Sequence, residues 1–547
     1  MIPAICIFVY LALVLWIGIF AFRRSTGSGE DFFLANRSLG PCVFLLSLFG
    51  TNMTAFAILG SSGMSYQRGI GVFGLMASSS AIIIPLTIIF IGTRLWSLGK
   101  RFGHMTQVQY FRDRWSSPAL GTLIFALTAT MLVPYIIIGV MGGGEVMESL
   151  TTITGPDGKP ILFDVLVDGK TVQEQHHWIS YEFGGALVAL VVMSYVFFGG
   201  MRGTAWVNAF QVVLFLSFGG VAVVLISNAL GGFDQMMAQI TSSKSLGSLL
   251  SRERISQQEF FSYMFIPLSA IMFPHMAIMC MTAEKVGHFR KTVVFYPLCI
   301  AAIWLPCVYL GVVSTQVFPG LAAGDSNDVI PRLLTEYTNL WVAGILGAGV
   351  MACVMASDSQ IMALSTMFTQ DIYKHYGGRE RFGERSEVWV GRAFIIGICV
   401  ISYLIAIALH KQEGIFELAI RFAFSGYAAL APIMLAAMFW RRSTAAGAWA
   451  AVVWVAVAMI ACWWLHDFSS EMAKTLKPGA TAQIFPALGD LFLRSKGGVT
   501  VYGYLPVMPM VLISAALVVI VSWCTRPPAQ AVIAKYFPAK NDGSTTP

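Results

Sequence analysis

The chain has 547 residues, 56% of them hydrophobic and only 12% charged, with a mean hydropathy of +0.72. The charged share is about half that of an ordinary soluble protein, which excludes a cytosolic enzyme, a disordered regulator and a nucleic-acid binder. The net charge of +7 is no nucleic-acid signature, because many of the Lys and Arg fall in short loops between long apolar runs.

Crossing a bilayer takes about 20 mostly apolar residues. Thirteen such runs follow one another at about 2–22, 40–66, 70–97, 119–146, 178–200, 204–230, 258–283, 291–318, 339–368, 387–409, 414–438, 443–466 and 501–525. They are numbered here as spans 1 to 13. Span 1 has no basic segment before it, and its apolar core is longer than that of a signal peptide. Arg23-Arg24 stand where a cleavage site would be, so it is read as a retained span.

The odd gaps are basic. They hold Arg23, Arg24 and Arg37; Lys100, Arg101, Arg112 and Arg114; Arg202; Lys285, Arg290 and Lys291; Lys374, Arg379, Arg381 and Arg385; and Arg441-Arg442. The short even gaps carry chiefly Arg68 and Lys411, and the basic residues of longer even gaps, such as Arg252 and Arg254, weigh less. The odd gaps are therefore expected in the cytoplasm, the N-terminus outside, and the C-terminus with Arg526, Lys535 and Lys540 inside. The loops at about 147–177 and 467–500 are then external and long enough to fold over an outer mouth. The expected class is an all-α, multi-pass protein of the cell (inner or plasma) membrane with thirteen transmembrane helices. No soluble domain larger than these loops is present, so function must lie within the bundle. The nine Cys sit in apolar stretches without paired spacing, which argues against a disulfide framework or a zinc site.

Polar groups within the membrane are costly and mark functional candidates. Span 2 carries Gly50-Thr51-Asn52-Met53-Thr54 near its middle. This run predicts an unwound stretch whose carbonyls coordinate a cation, or, alternatively, close helix packing through small residues. Span 7 carries Pro267 and Phe273-Pro274-His275, and each proline removes a backbone hydrogen bond. The two interrupted spans lie five apart and run in opposite directions. That spacing predicts a 5+5 inverted repeat, with 40–230 as the first half and 231–438 as the second. Residues 1–39 precede the repeat, and 439–547 hold two further spans and the tail.

Span 9 carries Ser357-Asp358-Ser359-Gln360. Asp358 needs a partner, a cation or a proton at that depth; the bland alternative is an internally bonded carboxylate that fixes packing. Glu145, beside Gly142-Gly143-Gly144, reads as a wetted helix end or a coupling group. His275 reads as a hydrogen-bonded packing residue or a proton relay. Arg421 follows Glu417 by four residues, as an ion pair would; the alternatives are snorkelling to the outer surface or reception of a substrate carboxylate. The chain holds no His-Glu-x-x-His, Gly-x-Ser-x-Gly or Walker loop, so it is read as a non-enzyme that ATP does not drive directly.

Asp31-Phe-Phe-Leu-Ala-Asn-Arg-Ser-Leu-Gly40, Thr51-Asn-Met-Thr54 with Gly60 and Tyr66, and Gly199 to Gln211 resemble the sodium/solute symporter family. So do Pro274-His275, Ser357 to Gln360 running on to Asp371-Ile-Tyr373, and Ala431-Pro432 to Arg442. The family includes proline, pantothenate, sugar and monocarboxylate carriers. The resemblance implies a leucine-transporter-like inverted repeat that works by alternating access. It also implies a sodium ion between spans 2 and 9, on carbonyls of Gly50, Met53 and Ala352. The two family hydroxyl positions fall on Met355 and Ala356, which have none, while Ser357 stands one position later. Asn208 stands where the family often has Asp. Together these features predict inward symport of a small polar organic solute, an amino acid, sugar or monocarboxylate, with sodium as the coupling ion. The solute is expected near Thr51, Asn52, Thr54, Phe273, His275, Phe424 and Tyr427, with Asp358, Asn208, Glu145 and Arg421 in coupling or gating. Proton coupling, an uncoupled carrier and a non-transporting solute sensor stand as alternatives.

Overall fold

The structure, a computed structural model, describes residues 2–153, 161–167, 170–243, 246–322, 324–410, 415–476 and 480–538. Lys411, Lys540 and the side chain of Glu417 lie outside the described residues, so the proposed Glu417–Arg421 pair does too.

Among the described residues, ten helices are long and apolar enough to cross a membrane. Two further pairs qualify across a bend: Pro41–Asn52 with Phe56–Arg68 at 57°, and Gln257–Met272 with Pro274–Met281 at 48°. The chain is a multi-pass membrane protein. The helix Tyr181–Ala229 has 49 residues, about 74 Å at the usual rise, more than twice the hydrocarbon thickness of about 30 Å. It breaks at Gly200, whose backbone adopts φ 53° and ψ −150°. A side chain there would be strained and would strike the Phe32 carbonyl. The break falls where predicted spans 5 and 6 meet.

The sequence reading of a purely helical chain needs one correction. Two of the long loops carry strands: Leu162–Val167 pairs antiparallel with Lys170–Gln175, and Thr481–Gln483, Phe492–Ser495 and Gly498–Val501 form a three-stranded sheet. Hairpin pairing gives loop backbone the hydrogen bonds it would otherwise lack.

Two sets of contacts between segments distant in sequence position the site. Arg202, just past the Gly200 break, pairs with Asp31 at 2.7 Å, and Ser25 Oγ and the Thr26 amide also donate to that carboxylate at 2.7 Å. The second contact is the short helix Gln107–Arg114, capped by Thr106, whose hydroxyl accepts from the Gln109 amide. Gln107 Nε2 donates to the Met272 carbonyl at 2.8 Å. Thr106 Oγ1 donates to Asp371 Oδ1 at 2.9 Å, and Arg112 donates to the Asp371 carbonyl at 3.0 Å. Arg114, fully buried, donates to the carbonyls of Ala437 and Trp440. Asp113 accepts from Lys535 and Tyr536 of the C-terminal helix Gln530–Tyr536.

Candidate functional site: two broken spans and a polar junction

Span 2 breaks at Met53–Ala55. Its Met53 amide caps back onto Phe49 and Gly50, so the carbonyls from Thr51 to Met53 lose regular partners, while that of Thr54 accepts from the Ala57 amide at 2.7 Å. Backbone oxygens freed inside a membrane must be satisfied by neighbouring protein groups. Gln360 Nε2 donates to the Thr51 carbonyl at 3.1 Å, and Tyr135 donates to that of Asn52 at 3.2 Å. Cys353 Sγ donates to those of Met53 and Thr54 at 3.4 and 3.3 Å. Three of these carbonyls face span 9. The close-packing alternative holds as well: a Cβ on Gly50 would collide with Val212 of span 6. Span 7 breaks at Phe273, which is extended (φ −60°, ψ 124°) before Pro274; a residue preceding proline disfavours the helical region.

Span 9 runs as Leu340–Tyr373, tightened by a 3₁₀ turn at Met355–Ser357. Ala352, Met355 and Ala356 are fully buried. Ser357 faces away from span 2, because a methyl on Gly139 of span 4 would collide with its Oγ. The hydroxyl that meets span 2 belongs to Ser359, about 200° further round the helix. Ser359 Oγ lies 2.7 Å from Thr51 Oγ1 and accepts from Asn208 Nδ2 at 2.7 Å. Asn208 also reaches Thr51 Oγ1 at 3.3 Å. Asp358 accepts from Ser359 Oγ at 3.2 Å and from the Tyr195 hydroxyl at 3.0 Å. Spans 2, 5, 6 and 9 thus meet in one buried polar junction. Within it, Asn208 Oδ1 and Gln360 Oε1 have no partner among the described residues.

On the other side of the span 2 break lies a narrow cavity of about 30 Å³. Of the residues predicted for the solute, it exposes Asn52, Phe273 and Phe424. Thr51 faces the polar junction instead, and Thr54 is buried off the cavity wall. Tyr427 packs its ring 4.7 Å from that of Phe273 and donates to the Thr128 carbonyl. His275 stacks 4.9 Å from Phe273 and 5.7 Å from Tyr135. The hydrogen bond expected of a packing histidine is not seen: its ring nitrogens have no hydrogen-bond partner among the described residues. Sequence reasoning did not select Phe56, Ser80, Tyr263 or Trp304, all on the same wall. The Ser78-Ser79-Ser80 run was the one available hint, since polar residues are scarce at that depth.

Glu145 and Arg421 lie off both features. Glu145 accepts from Asn327 Nδ2 at 3.5 Å near the C-terminal end of span 4. Arg421 is half-buried in the π-turn Ala419–Phe424 in the N-terminal part of span 11.

The profile of the Sodium:solute symporter family matches residues 32–154 and 164–454, most of the chain. The chain belongs to the sodium:solute symporter family. Among curated relatives, the sodium/proline symporter of Escherichia coli (strain K12) is 26% identical over 83% of this chain and 86% of its own length. An uncharacterized symporter of Bacillus subtilis (strain 168) is 26% identical over 68% of this chain and 71% of its own. Among solved structures, a Na+-coupled sialic acid symporter in a substrate-bound, outward-open state aligns with a TM-score of 0.70 and 16% identity. That alignment covers 97% of this chain and 99% of the other. Mhp1, a nucleobase-cation-symport-1 family transporter, closed with bromovinylhydantoin bound, aligns with a TM-score of 0.53 and 12% identity over 92% of this chain and 97% of its own. These likenesses show the fold. As a member of this family the chain is a membrane symporter for sodium.

Proposed function

We propose that this symporter carries a small polar organic solute inward with sodium by alternating access, across a cell (inner or plasma) membrane. The observation that carries this reading is the pair of broken spans. One side of the span 2 break turns carbonyls and a hydroxyl towards span 9, and the other side opens on a cavity. Sodium takes the first side and solute the second. Its oxygens come from the carbonyls of Met53 and Thr54, from Ser359 Oγ and from Asp358; Gly50, Ala352, Met355, Ala356 and Ser357 contribute backbone and packing. Solute contacts Asn52, Phe273 and Phe424 directly, while Thr51, Thr54, His275 and Tyr427 support that wall. Asn208 couples spans 6 and 9, and Glu145 and Arg421 act at the outer mouth.

The topology belongs to the same proposal. Counting each bent pair as one span and the Gly200 break as the boundary of two gives thirteen. The N-terminus is then outside and the C-terminus inside, 40–230 and 231–438 form inverted halves, and 1–39 and 439–547 flank them. Cation bound across spans 2 and 9 favours the outward-open form, so each ligand strengthens binding of the other.

Uptake into proteoliposomes tests the reading, with sodium, proton and no gradient compared. Uphill accumulation on a sodium gradient alone supports it. Accumulation on a proton gradient moves the coupling role to a proton on Asp358, a reading favoured by its burial beside Tyr195. Equal uptake under all three conditions makes the chain an uncoupled carrier, and binding without flux makes it a sensor.

A further inference from the structure

We propose that Arg94, Arg114 and Arg441 form a site for the phosphate of an anionic phospholipid, where span 3, span 11 and the C-terminal helix meet. The three guanidinium groups surround one ring: their central carbons lie 5.6, 5.3 and 5.9 Å from the centroid of Phe537. Arg94 also lies 5.0 Å from the ring of Phe439. An aromatic face is only a partial counter-charge for a cation, and three like charges on one ring repel one another. None of the three pairs with a carboxylate among the described residues. Elsewhere in the chain arginines do: Arg37 pairs with Glu30, Arg68 with Glu259, Arg202 with Asp31 and Arg332 with Asp328. Asp113, next to Arg114 in sequence, is already taken by Lys535 and Tyr536. Arg114 is fully buried and spends Nε and Nη2 on the carbonyls of Ala437 and Trp440, which leaves Nη1 without a hydrogen-bond partner among the described residues. A buried charge with no counter-ion is costly. Arg94 is half-buried and Arg441 exposed, so these two meet the phosphate, while Arg114 adds its field from behind.

The approach to the trio is apolar, which points to a lipid as the source of the phosphate. Leu86, Phe90 and Arg94 follow one another at four-residue spacing along Gly71–Phe102 and so share a face. Leu435 and Phe439 do the same on span 11. All four of these apolar side chains are exposed on helices long enough to cross a membrane, so they lie against acyl chains. A headgroup on the arginines with its chains along these residues is the arrangement of a basic lipid pocket between membrane helices. A free phosphate would gain the charges and none of the apolar flank.

The test uses the purified full chain in detergent with three probes. Dioleoyl phosphatidylglycerol is the anionic lipid, dioleoyl phosphatidylcholine has the same chains without net charge, and glycerol 3-phosphate has the phosphate without chains. Native mass spectrometry reads retained lipid, and thermal unfolding reads stabilisation. Retention of phosphatidylglycerol with stabilisation, and neither from the other two, is expected. Equal stabilisation by phosphatidylcholine overturns the role of charge, and equal stabilisation by glycerol 3-phosphate overturns the lipid as ligand. Arg94→Gln with Arg441→Gln should weaken phosphatidylglycerol binding about tenfold or more. Arg441→Gln alone, at an exposed position, should weaken it about fivefold and keeps the test open if the double variant does not fold. Unchanged binding in either variant overturns the site. Arg290→Gln, at an exposed arginine between spans 7 and 8, should leave binding unchanged; an equal loss there would mean general surface charge and overturn the site as well.

Discussion

Thr51 and Ser359, separated by 308 positions in sequence, bring their hydroxyl oxygens within 2.7 Å of each other beneath the span 2 break. Asn208 donates to both. Ser359→Ala therefore takes a partner from three buried polar groups, Thr51, Asn208 and Asp358, and removes an oxygen from the proposed ion side. Half-saturating sodium should rise about tenfold, with the solute constant at saturating sodium little changed. Ser357→Ala, two residues away but facing Gly139, should leave the sodium requirement unaltered. Sodium titration of uptake by the two variants decides which hydroxyl serves.

Asp358→Asn keeps an acceptor for Tyr195 and Ser359 while deleting the charge. Sodium-driven accumulation should fall by at least about tenfold, because a neutral amide binds a cation far less well than a carboxylate. Solute counterflow, which needs no net ion movement, should persist. Loss of both activities together would mean that Asp358 serves folding. The family often places its carboxylate at the position of Asn208. Here the charge stands across the shared Ser359 hydroxyl, on span 9.

In the loop between spans 1 and 2, burial raises the Asp31 carboxyl, but the Arg202 guanidinium, the Ser25 hydroxyl and the Thr26 amide outweigh it and hold the group below the usual carboxylate range. A carboxyl lowered in the folded state stabilises the fold above its unfolded value of about 3.9. That contribution is lost as pH falls through the lower, folded value. Asp31→Asn should lower the thermal midpoint at pH 7, and the difference from the parent should close at the acid end of the curve. A gap that stayed constant to the lowest pH would show that the ion pair is not the source.

Gly200→Ala places a methyl into the Phe32 carbonyl at a backbone conformation disfavoured for L-residues. A cost of about 1–3 kcal/mol is expected from the strain, with further loss from the collision. Folded yield in detergent and the unfolding midpoint would both report it. A neutral outcome would imply that the turn between these two helices relaxes freely.

Apolar run length located the membrane helices, and the polar and proline interruptions located both breaks. Pro274 forces Phe273 out of the helical region whatever surrounds it, so that break is written locally. The facing of span 9 is not: the 3₁₀ turn at Met355–Ser357 and the contact with Gly139 decide whether Ser357 or Ser359 meets span 2. Trp304 was equally hidden, since an aromatic residue in a long apolar run has the same pattern whether it faces lipid, a neighbour or a cavity. The short helix Gln107–Arg114 spans too few residues for its periodicity to stand out, and its partners come from distant segments.

That short helix has a mechanical consequence. A rod of eight residues is about 12 Å long and too short to bend. It is bolted at Met272, at Asp371, and at Ala437 with Trp440. The break of span 7 and the ends of spans 9 and 11 are thus tied to a single stiff crossbar. Separating any one of these spans from the other two first requires breaking its hydrogen bonds to the crossbar.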